Sequence, residues 1–286
     1  MFRLLQISDT HLAHDNGIFE DNFDAARRMA ASLEADLVVN TGDMSLDGSE
    51  READLLHAAK RHREIDREVL TIPGNHDVGE THGLGNSAQA IDEVKLARYR
   101  DHFGPDWWVR DVNSSWRLVG LNSLLLGSGL AEEQRQATEI AVAIGESDGR
   151  AVAVFMHKPL YLKRPDEPPG GYFTIPPDFR APYDALIDHP NGRLVATGHL
   201  HQCAIHIRGD RTHAWAPSTA FVAGPMRRQE LGGAHELGVV LHELGPGGAI
   251  HSRILPVPTL RRLVSEELLE GRSYPHFRKT IDPLPS

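Results

Sequence analysis

Short apolar runs alternate with amphipathic stretches along the first part of the chain. Five runs are rich in Val, Ile and Leu and lack strict alternation of apolar and polar positions, which is typical of strands buried on both faces. These runs are residues 2–7, 37–40, 69–72, 151–156 and 194–197. Apolar positions at helical spacing predict helices over residues 23–33, 50–64 and 132–144. Alternating strands and helices predict an α/β protein with mainly parallel pairing in its first half.

Further strands, joined by short turns, are predicted in the second half of the chain. They cover residues 117–121, 204–207, 212–215, 237–241 and 249–255. Together the two sets of strands lead us to expect two sheets packed face to face, with helices outside them.

Two segments do not fit this regular pattern. Residues 162–181 are rich in Pro and Gly, which predicts an irregular loop. A loop of that length inside a compact domain is usually functional, so it is a candidate lid, with a plain surface excursion as the alternative. In residues 257–286 the sequence predicts a C-terminal helix around 260–269, followed by a loose tail. Residues 1–256 are then predicted to form one large domain.

The composition narrows the classes of function. The 286 residues carry a formal net charge of −10 at pH 7, which disfavours a protein that coats nucleic acid. No apolar run is long enough to span a membrane, and the N-terminus enters a strand without a signal-peptide pattern. A single cysteine, Cys203, suits a reducing compartment, so we expect a cytoplasmic location. Histidine is in excess, at 17 residues.

Each of the five buried runs ends in a polar cluster. In chain order the clusters are Asp9-Thr10-His11, Gly42-Asp43, Gly74-Asn75-His76-Asp77, His157-Lys158-Pro159 and Gly198-His199-Leu200-His201. Ligands bind at the carboxyl ends of strands in open α/β sheets, so these side chains are expected to converge. Any one cluster alone is more simply a turn or a helix cap, but their shared position favours a common site.

The donor types indicate metal binding. Carboxylate, amide oxygen and imidazole together suit Mn, Fe or Zn, whereas calcium prefers more oxygen and no imidazole. Seven donors are too many for one ion and are about right for two ions that share a bridging ligand.

In identity and order, the five clusters resemble the motifs of the calcineurin-like metallophosphoesterases. The resemblance implies a four-layer α-β-β-α sandwich with two mixed sheets, of which residues 1–256 would form the catalytic domain, and a centre of two metal ions. Carried over by position, it implies a first ion on Asp9, His11 and His201, a second ion on Asn75, His157 and His199, and Asp43 as the bridge. His76 would be the non-ligand histidine beside the leaving group.

Within that family, the sequence around Asp9-Thr10-His11 is similar to the bacterial class III cyclic-nucleotide phosphodiesterase and glycerophosphodiesterase branch. That branch often has two adjacent histidines before the proline, where this chain has His157 and then Lys158. The resemblance therefore implies hydrolysis of a small phosphodiester, a cyclic nucleotide or a glycerophosphodiester, by attack of a metal-bridging hydroxide.

Other functions remain open at this point. They are a phosphomonoesterase, a hydrolase of nucleotide-sugar or phospholipid diesters, and, less favoured, a nuclease or a non-catalytic scaffold. A scaffold would be expected to have lost ligands, and this chain retains all seven together with His76. The sequence is compatible with a homo-oligomer.

The remaining site residues have predicted roles of their own. His76 would protonate the leaving alkoxide, a role that the near-neutral titration of histidine suits. Asp77 would orient His76 or a ligand histidine, with a helix cap as the alternative. Lys158, Tyr172 and Phe173 are predicted to contact the substrate.

Overall fold

The computed structural model describes residues 1–82, 84, 89–167, 170–224, 231–257, 259–265 and 268. Within these residues the strands are β1 (Phe2–Ile7), β2 (Leu37–Asn40), β3 (Val69–Thr71), β4 (Trp108–Asn113), β5 (Trp116–Leu121), β6 (Ala151–Met156), β7 (Gly192–Thr197), β8 (Ala204–Arg208), β9 (Arg211–Trp215), β10 (Gly238–Leu244) and β11 (Ile250–Pro256). The helices are α1 (Glu20–Ser32), α2 (Glu52–His62), α3 (Asn75–Val78), α4 (Glu93–Phe103), α5 (Ala131–Gly145) and α6 (Pro177–Ile187).

The strands form two mixed sheets, as predicted. One sheet has the order β11-β10-β1-β2-β3, and the other has the order β4-β5-β6-β7-β9-β8. The pairs from β1 to β3 and those linking β5, β6, β7 and β9 are parallel, whereas both sheets carry antiparallel strands towards an edge. The parallel strands therefore direct their carboxyl ends to one edge of the molecule.

Neighbouring side chains along β1 belong to different parts of the core. Leu4 packs in the cluster that also contains Phe155 of β6, between the sheets, whereas Leu5 packs with Phe23 and Leu55 of helices α1 and α2. Successive residues of a strand point to opposite faces, so both faces of β1 are buried. This is why the strand reads as a continuous apolar run. The predicted four-layer α/β sandwich is confirmed.

Some elements depart from the prediction. Strand β4 was not predicted, because most of its side chains are exposed and its sequence lacks an apolar run. Helix α4 was also not predicted, although Asp92 caps it by accepting from the Lys95 N–H at 2.8 Å. Helix α6 begins at Pro177, so the irregular loop predicted over residues 162–181 is wrong for its last five residues. Proline is well tolerated in the first turn of a helix.

The C-terminal prediction is described only in part. Residues 259–264 are not helical; Val264 forms a parallel bridge with Val222 and Leu263 packs in a cluster with Phe221. Of the rest of the predicted helix, Ser265 and Leu268 are helical, and residues 266–267 and 269–286 lie outside the described residues. None of the described helices is long and apolar enough to cross a membrane.

Candidate metal centre

The five polar clusters meet where the carboxyl ends of the parallel strands of both sheets come together. Strands β1, β2 and β3 supply three clusters from one sheet, and β6 and β7 supply two from the other. The predicted ligands that are buried are Asp9, His11, Asp43, Asn75, His157 and His199. The seventh, His201, has a side chain that is only 11% exposed. The predicted convergence is therefore present in the folded chain.

The first donor group consists of Asp9, His11 and His201. One donor atom from each lies within 4.8 Å of the other two. The Nε2 atoms of His11 and His201 are 3.2 Å apart, and His201 Nε2 is 3.4 Å from Asp9 Oδ1. This group has the size and composition of a site for one cation.

The second donor group consists of Asp43, His157 and His199, whose donor atoms also lie within 4.8 Å of one another. Asn75 joins this group through Oδ1, which is 3.2 Å from His157 Nε2. Asp43 Oδ2 lies 3.3 Å from His157 Nε2 and 3.8 Å from His11 Nε2, so one carboxylate oxygen faces both groups. That is the placement of a bridging ligand.

The hydrogen bonds of the imidazoles show that both groups fit cations. His157 donates through Nδ1 to the Thr41 carbonyl at 2.7 Å, and His201 donates through Nδ1 to the Phe221 carbonyl at 2.7 Å. A carbonyl only accepts, so in each neutral ring the Nε2 atom carries a lone pair. His157 Nε2 then faces the oxygens of Asn75 and Asp43, and a positive charge is needed between these converging lone pairs.

The electrostatics of the second group favour positive charge in the same place. Burial alone lowers the pKa of His157, but the Asp43 carboxylate outweighs burial and raises that pKa to about 9. Burial would raise the pKa of Asp43, yet His157 and His76 hold it well below its usual range. Burial lowers the pKa of His11 and of His199 well below the ordinary value. His11, His199 and Asp43 therefore favour the neutral-imidazole and ionised-carboxylate states that bind metal, and a metal ion would take the place of the proton on His157.

Backbone strain is concentrated at the candidate ligands. Seven described residues other than glycine have a positive φ, and five of them are Asp9, His11, Asp43, His199 and His201. Such conformations cost about 1–3 kcal/mol each and persist where the surrounding structure over-determines them. In the Asp-x-His and His-x-His motifs the strain falls on both ligand residues, which directs both side chains into the same centre.

His76 lies beside Asp43 and His11. Its side chain is 13% exposed, its N–H donates to Asp43 Oδ1 at 2.9 Å, and its ring donates through Nδ1 to the Leu46 carbonyl at 3.0 Å. Nε2 is then 3.8 Å from Asp43 Oδ2, and His11, Asp43 and His76 form a third group within 4.8 Å. Distance alone admits His76 as a ligand, and its exposed fraction is close to the 11% of the predicted ligand His201.

Asp77 connects two of the segments that carry ligands. Its carboxylate accepts from the backbone N–H groups of Gly74, Met44 and Ser45 at 2.9–3.2 Å, and from the Ser45 hydroxyl at 2.6 Å. These bonds link the loop after β2, which holds Asp43, to the start of helix α3, which begins at Asn75. The structure thus places the Asp77 carboxylate on backbone donors.

The three predicted substrate contacts differ in exposure. Lys158 is fully buried, and its ammonium pairs with Glu80 and lies 4.7 Å from the centre of the Tyr172 ring. Tyr172 is 43% exposed and its ring centre is 5.1 Å from that of His199, whereas Phe173 is half-buried at 6.5 Å from His199. Tyr172 is therefore placed to meet a bound molecule directly, and Lys158 lies behind it.

The sequence did not indicate some residues that organise this centre. The carbonyls of Thr41, Phe221 and Tyr172 orient ligand histidines, but a backbone carbonyl has no signature in residue type. Glu80 was also missed, although a lysine directly after a buried strand signals the need for a carboxylate partner.

The sequence model of the calcineurin-like phosphoesterases matches residues 2–203, which is well over half of the chain. The chain belongs to the calcineurin-like phosphoesterase family. Members of this family bind two metal ions, and the two donor groups with their shared Asp43 oxygen fit such a dinuclear centre. The match ends at Cys203, so it includes all five polar clusters.

Several solved structures share this fold. The chain is similar to a dimetal phosphatase from Danio rerio, with a TM-score of 0.62 and 14% identity over 90% of this chain and 96% of that one. GAP50, the anchor in the inner membrane complex of Plasmodium, gives a TM-score of 0.62 and 14% identity over 91% and 86%. The purple acid phosphatase PPD1 of yellow lupin gives 0.62 and 12% over 100% of this chain and 56% of that one. No curated protein sequence matches significantly.

Proposed function

We propose that the protein is a dinuclear metal-dependent phosphodiesterase that hydrolyses a small phosphodiester, either a cyclic nucleotide or a glycerophosphodiester. The observation that carries the proposal is the single Asp43 oxygen that faces both donor groups. Asp9, His11 and His201 would hold the first ion, and Asn75, His157 and His199 the second. The donor set suits manganese, iron or zinc.

Metal ions held in this way activate water and offset the charge of a phosphate ester. The residues of the chain position the reaction around them. His76 is held by the Leu46 carbonyl so that Nε2 lies 3.8 Å from Asp43 Oδ2, beside the centre, and we assign it to the leaving oxygen. With a proton on Nε2, His76 donates to that oxygen. The bonds of Asp77 to both ligand segments keep Asp43 and Asn75 in register during the reaction.

Two features support a diester in preference to a monoester. A phosphomonoester carries most of a second negative charge near neutral pH, whereas a diester carries one. Lys158, next to His157, is a cation that could offset a second negative charge on the substrate. Glu80 already pairs with this ammonium, so the site suits the single charge of a diester. The exposed face of Tyr172 next to His199 also suits the ring of a base or another bulky ester group.

A phosphomonoesterase is the second candidate. The Danio rerio structure of the same fold is described as a dimetal phosphatase, and the donor groups alone do not discriminate between the two ester classes.

The test compares bis-p-nitrophenyl phosphate with p-nitrophenyl phosphate, with and without added Mn²⁺, together with metal analysis of the purified protein. We expect two ions per chain and a higher kcat/KM for the diester. Faster hydrolysis of the monoester would replace the proposal with a phosphatase. A protein that holds no metal and hydrolyses neither compound would instead be a non-catalytic scaffold.

The role of His76 predicts a leaving-group effect. His76→Ala should lower kcat by about a hundredfold to ten-thousandfold on a glycerophosphodiester, whose alkoxide needs a proton. The loss should be much smaller on bis-p-nitrophenyl phosphate, whose phenolate leaves unaided, and the metal content should remain at two ions. His251→Ala, at a surface histidine paired with Glu243, is the control and should leave both rates unchanged. Equal losses on both substrates, or a loss of metal, would contradict proton donation.

A further inference from the structure

Tyr172 contacts two predicted ligands of the same ion. Asn75 donates through Nδ2 to the Tyr172 hydroxyl at 3.0 Å. An amide whose nitrogen is engaged on one side presents its oxygen on the other, and Asn75 Oδ1 lies 3.2 Å from His157 Nε2. The rotated amide would turn an NH₂ group, which has no lone pair for a cation, towards the centre. The tyrosine hydroxyl therefore selects the amide orientation that can bind metal.

The backbone of Tyr172 acts on the second ligand. His199 donates through Nε2 to the Tyr172 carbonyl at 3.1 Å. Because the carbonyl only accepts, the proton of the neutral imidazole is held on Nε2, and the lone pair is left on Nδ1. A hydrogen bond of this kind fixes both the tautomer and the orientation of a metal-binding histidine.

Tyr172 is itself held by residues that adjoin the third ligand, His157. The ammonium of Lys158, the next residue along the chain, lies 4.7 Å from the centre of the Tyr172 ring, and Glu80 keeps it there. Three residues after Tyr172 in the chain, the backbone N–H of Ile175 donates to the Pro159 carbonyl at 3.0 Å. The segment around Tyr172 is thus fastened to the same loop that carries His157.

We infer that Tyr172 is a positioning residue for the second ion, and that it couples occupancy of that ion's site to the segment after β6. The inference rests on the proposed function, because it assumes that Asn75, His157 and His199 hold one ion together with Asp43. Tyr172 hydrogen-bonds to Asn75 and His199, both in that group. The first group, with Asp9, His11 and His201, should be unaffected by changes at Tyr172.

The test is a calorimetric titration of the metal-free chain with Mn²⁺ alone. Tyr172→Phe keeps the ring and removes the hydroxyl, so it should weaken binding of the second Mn²⁺ by about tenfold or more and leave the first unchanged. Tyr183→Phe is the matched control, since it removes a buried tyrosine hydroxyl on helix α6, where that hydroxyl accepts from Gln136 at 3.3 Å, and it should change neither affinity. Replacing residues 165–173 with a Gly-Ser link removes the carbonyl as well, and should weaken the second ion further.

A kinetic measurement separates positioning from contact with substrate. For Tyr172→Phe the Mn²⁺ concentration needed for half-maximal activity should rise by the same factor as the dissociation constant of the second Mn²⁺, whereas the control variant should show no rise. A KM that stays raised at every Mn²⁺ concentration, with both Mn²⁺ affinities unchanged, would overturn the inference and leave the proposed function standing. A wild-type chain that binds no Mn²⁺ would overturn both.

Discussion

Asp43→Asn is expected to reduce the bound metal from two ions to one or none and to lower kcat on the diester by about a thousandfold or more. A thousandfold corresponds to about 4 kcal/mol of transition-state stabilisation, which is within what a metal centre supplies. The reason is that one oxygen of Asp43 faces both donor groups. The amide has nearly the same shape but no negative charge, and the two groups then lose their shared ligand.

The backbone cannot account for such a loss, because Asn tolerates the positive φ that Asp43 adopts. Asp148→Asn is the matched control. Asp148 has a φ of 52° against 53° for Asp43, but its side chain is exposed beside Arg150, far along the chain in the turn before β6. The control should keep both ions and full activity. Metal analysis and turnover of bis-p-nitrophenyl phosphate check both variants, and an Asp43→Asn variant with two ions would refute the bridging role.

The features that could be predicted from the sequence are the buried strands and the metal-ligand motifs that follow them. Strands such as β1 and β6 are buried on both faces, so their residue types carry the whole signal. The ligand motifs follow those strands directly, and a parallel sheet brings its carboxyl ends together whatever the rest of the chain does. Two sheets and one site could therefore be predicted without any long-range contact being known.

The part that escaped prediction depends on partners distant in the chain. Asp77 was predicted to orient a histidine or to cap a helix. It does cap helix α3, by accepting from the Gly74 N–H, but it also accepts from the backbone of Met44 and Ser45, which the sequence did not indicate. Lys158 was predicted to contact the substrate, which stays a prediction; what the sequence did not indicate is that Glu80, 78 residues earlier, binds its ammonium. Burial of such a charge needs a paired carboxylate, and residue type alone does not say where that carboxylate comes from.

The backbone strain at the ligands could not be predicted from the sequence either. The motifs identify Asp9 and His11 as donors, but nothing in their residue types requires a positive φ. The requirement appears only when the chain must bring two residues separated by one position into a single centre. The cost of these conformations is one that the folded structure has to offset, which makes the surrounding packing as important to the site as the ligands themselves.

The packing around Asp9 predicts how an added methyl group at Gly198 would change metal binding and stability. Gly198→Ala is expected to weaken binding of the first ion more than that of the second, and to lower the free energy of unfolding by about 1–3 kcal/mol. A Cβ at Gly198 would lie 2.1 Å from Ser8 Oγ and 2.9 Å from Asp9 Oδ2. Ser8 donates to that same Asp9 oxygen at 2.5 Å, so the methyl group would displace a ligand together with the residue that orients it.

Gly145→Ala provides the comparison, because a Cβ there would meet nothing within 4 Å, at the end of helix α5. It should leave metal binding unchanged and stabilise the chain slightly, by up to about 1 kcal/mol. Calorimetric Mn²⁺ titration and thermal unfolding of the two variants measure both quantities. If Gly198→Ala bound the first ion as tightly as the wild type, the inference that the methyl group displaces Asp9 would be wrong. Weaker binding of the first ion alone would link the close approach of the loops after β1 and β7 to the affinity of that site.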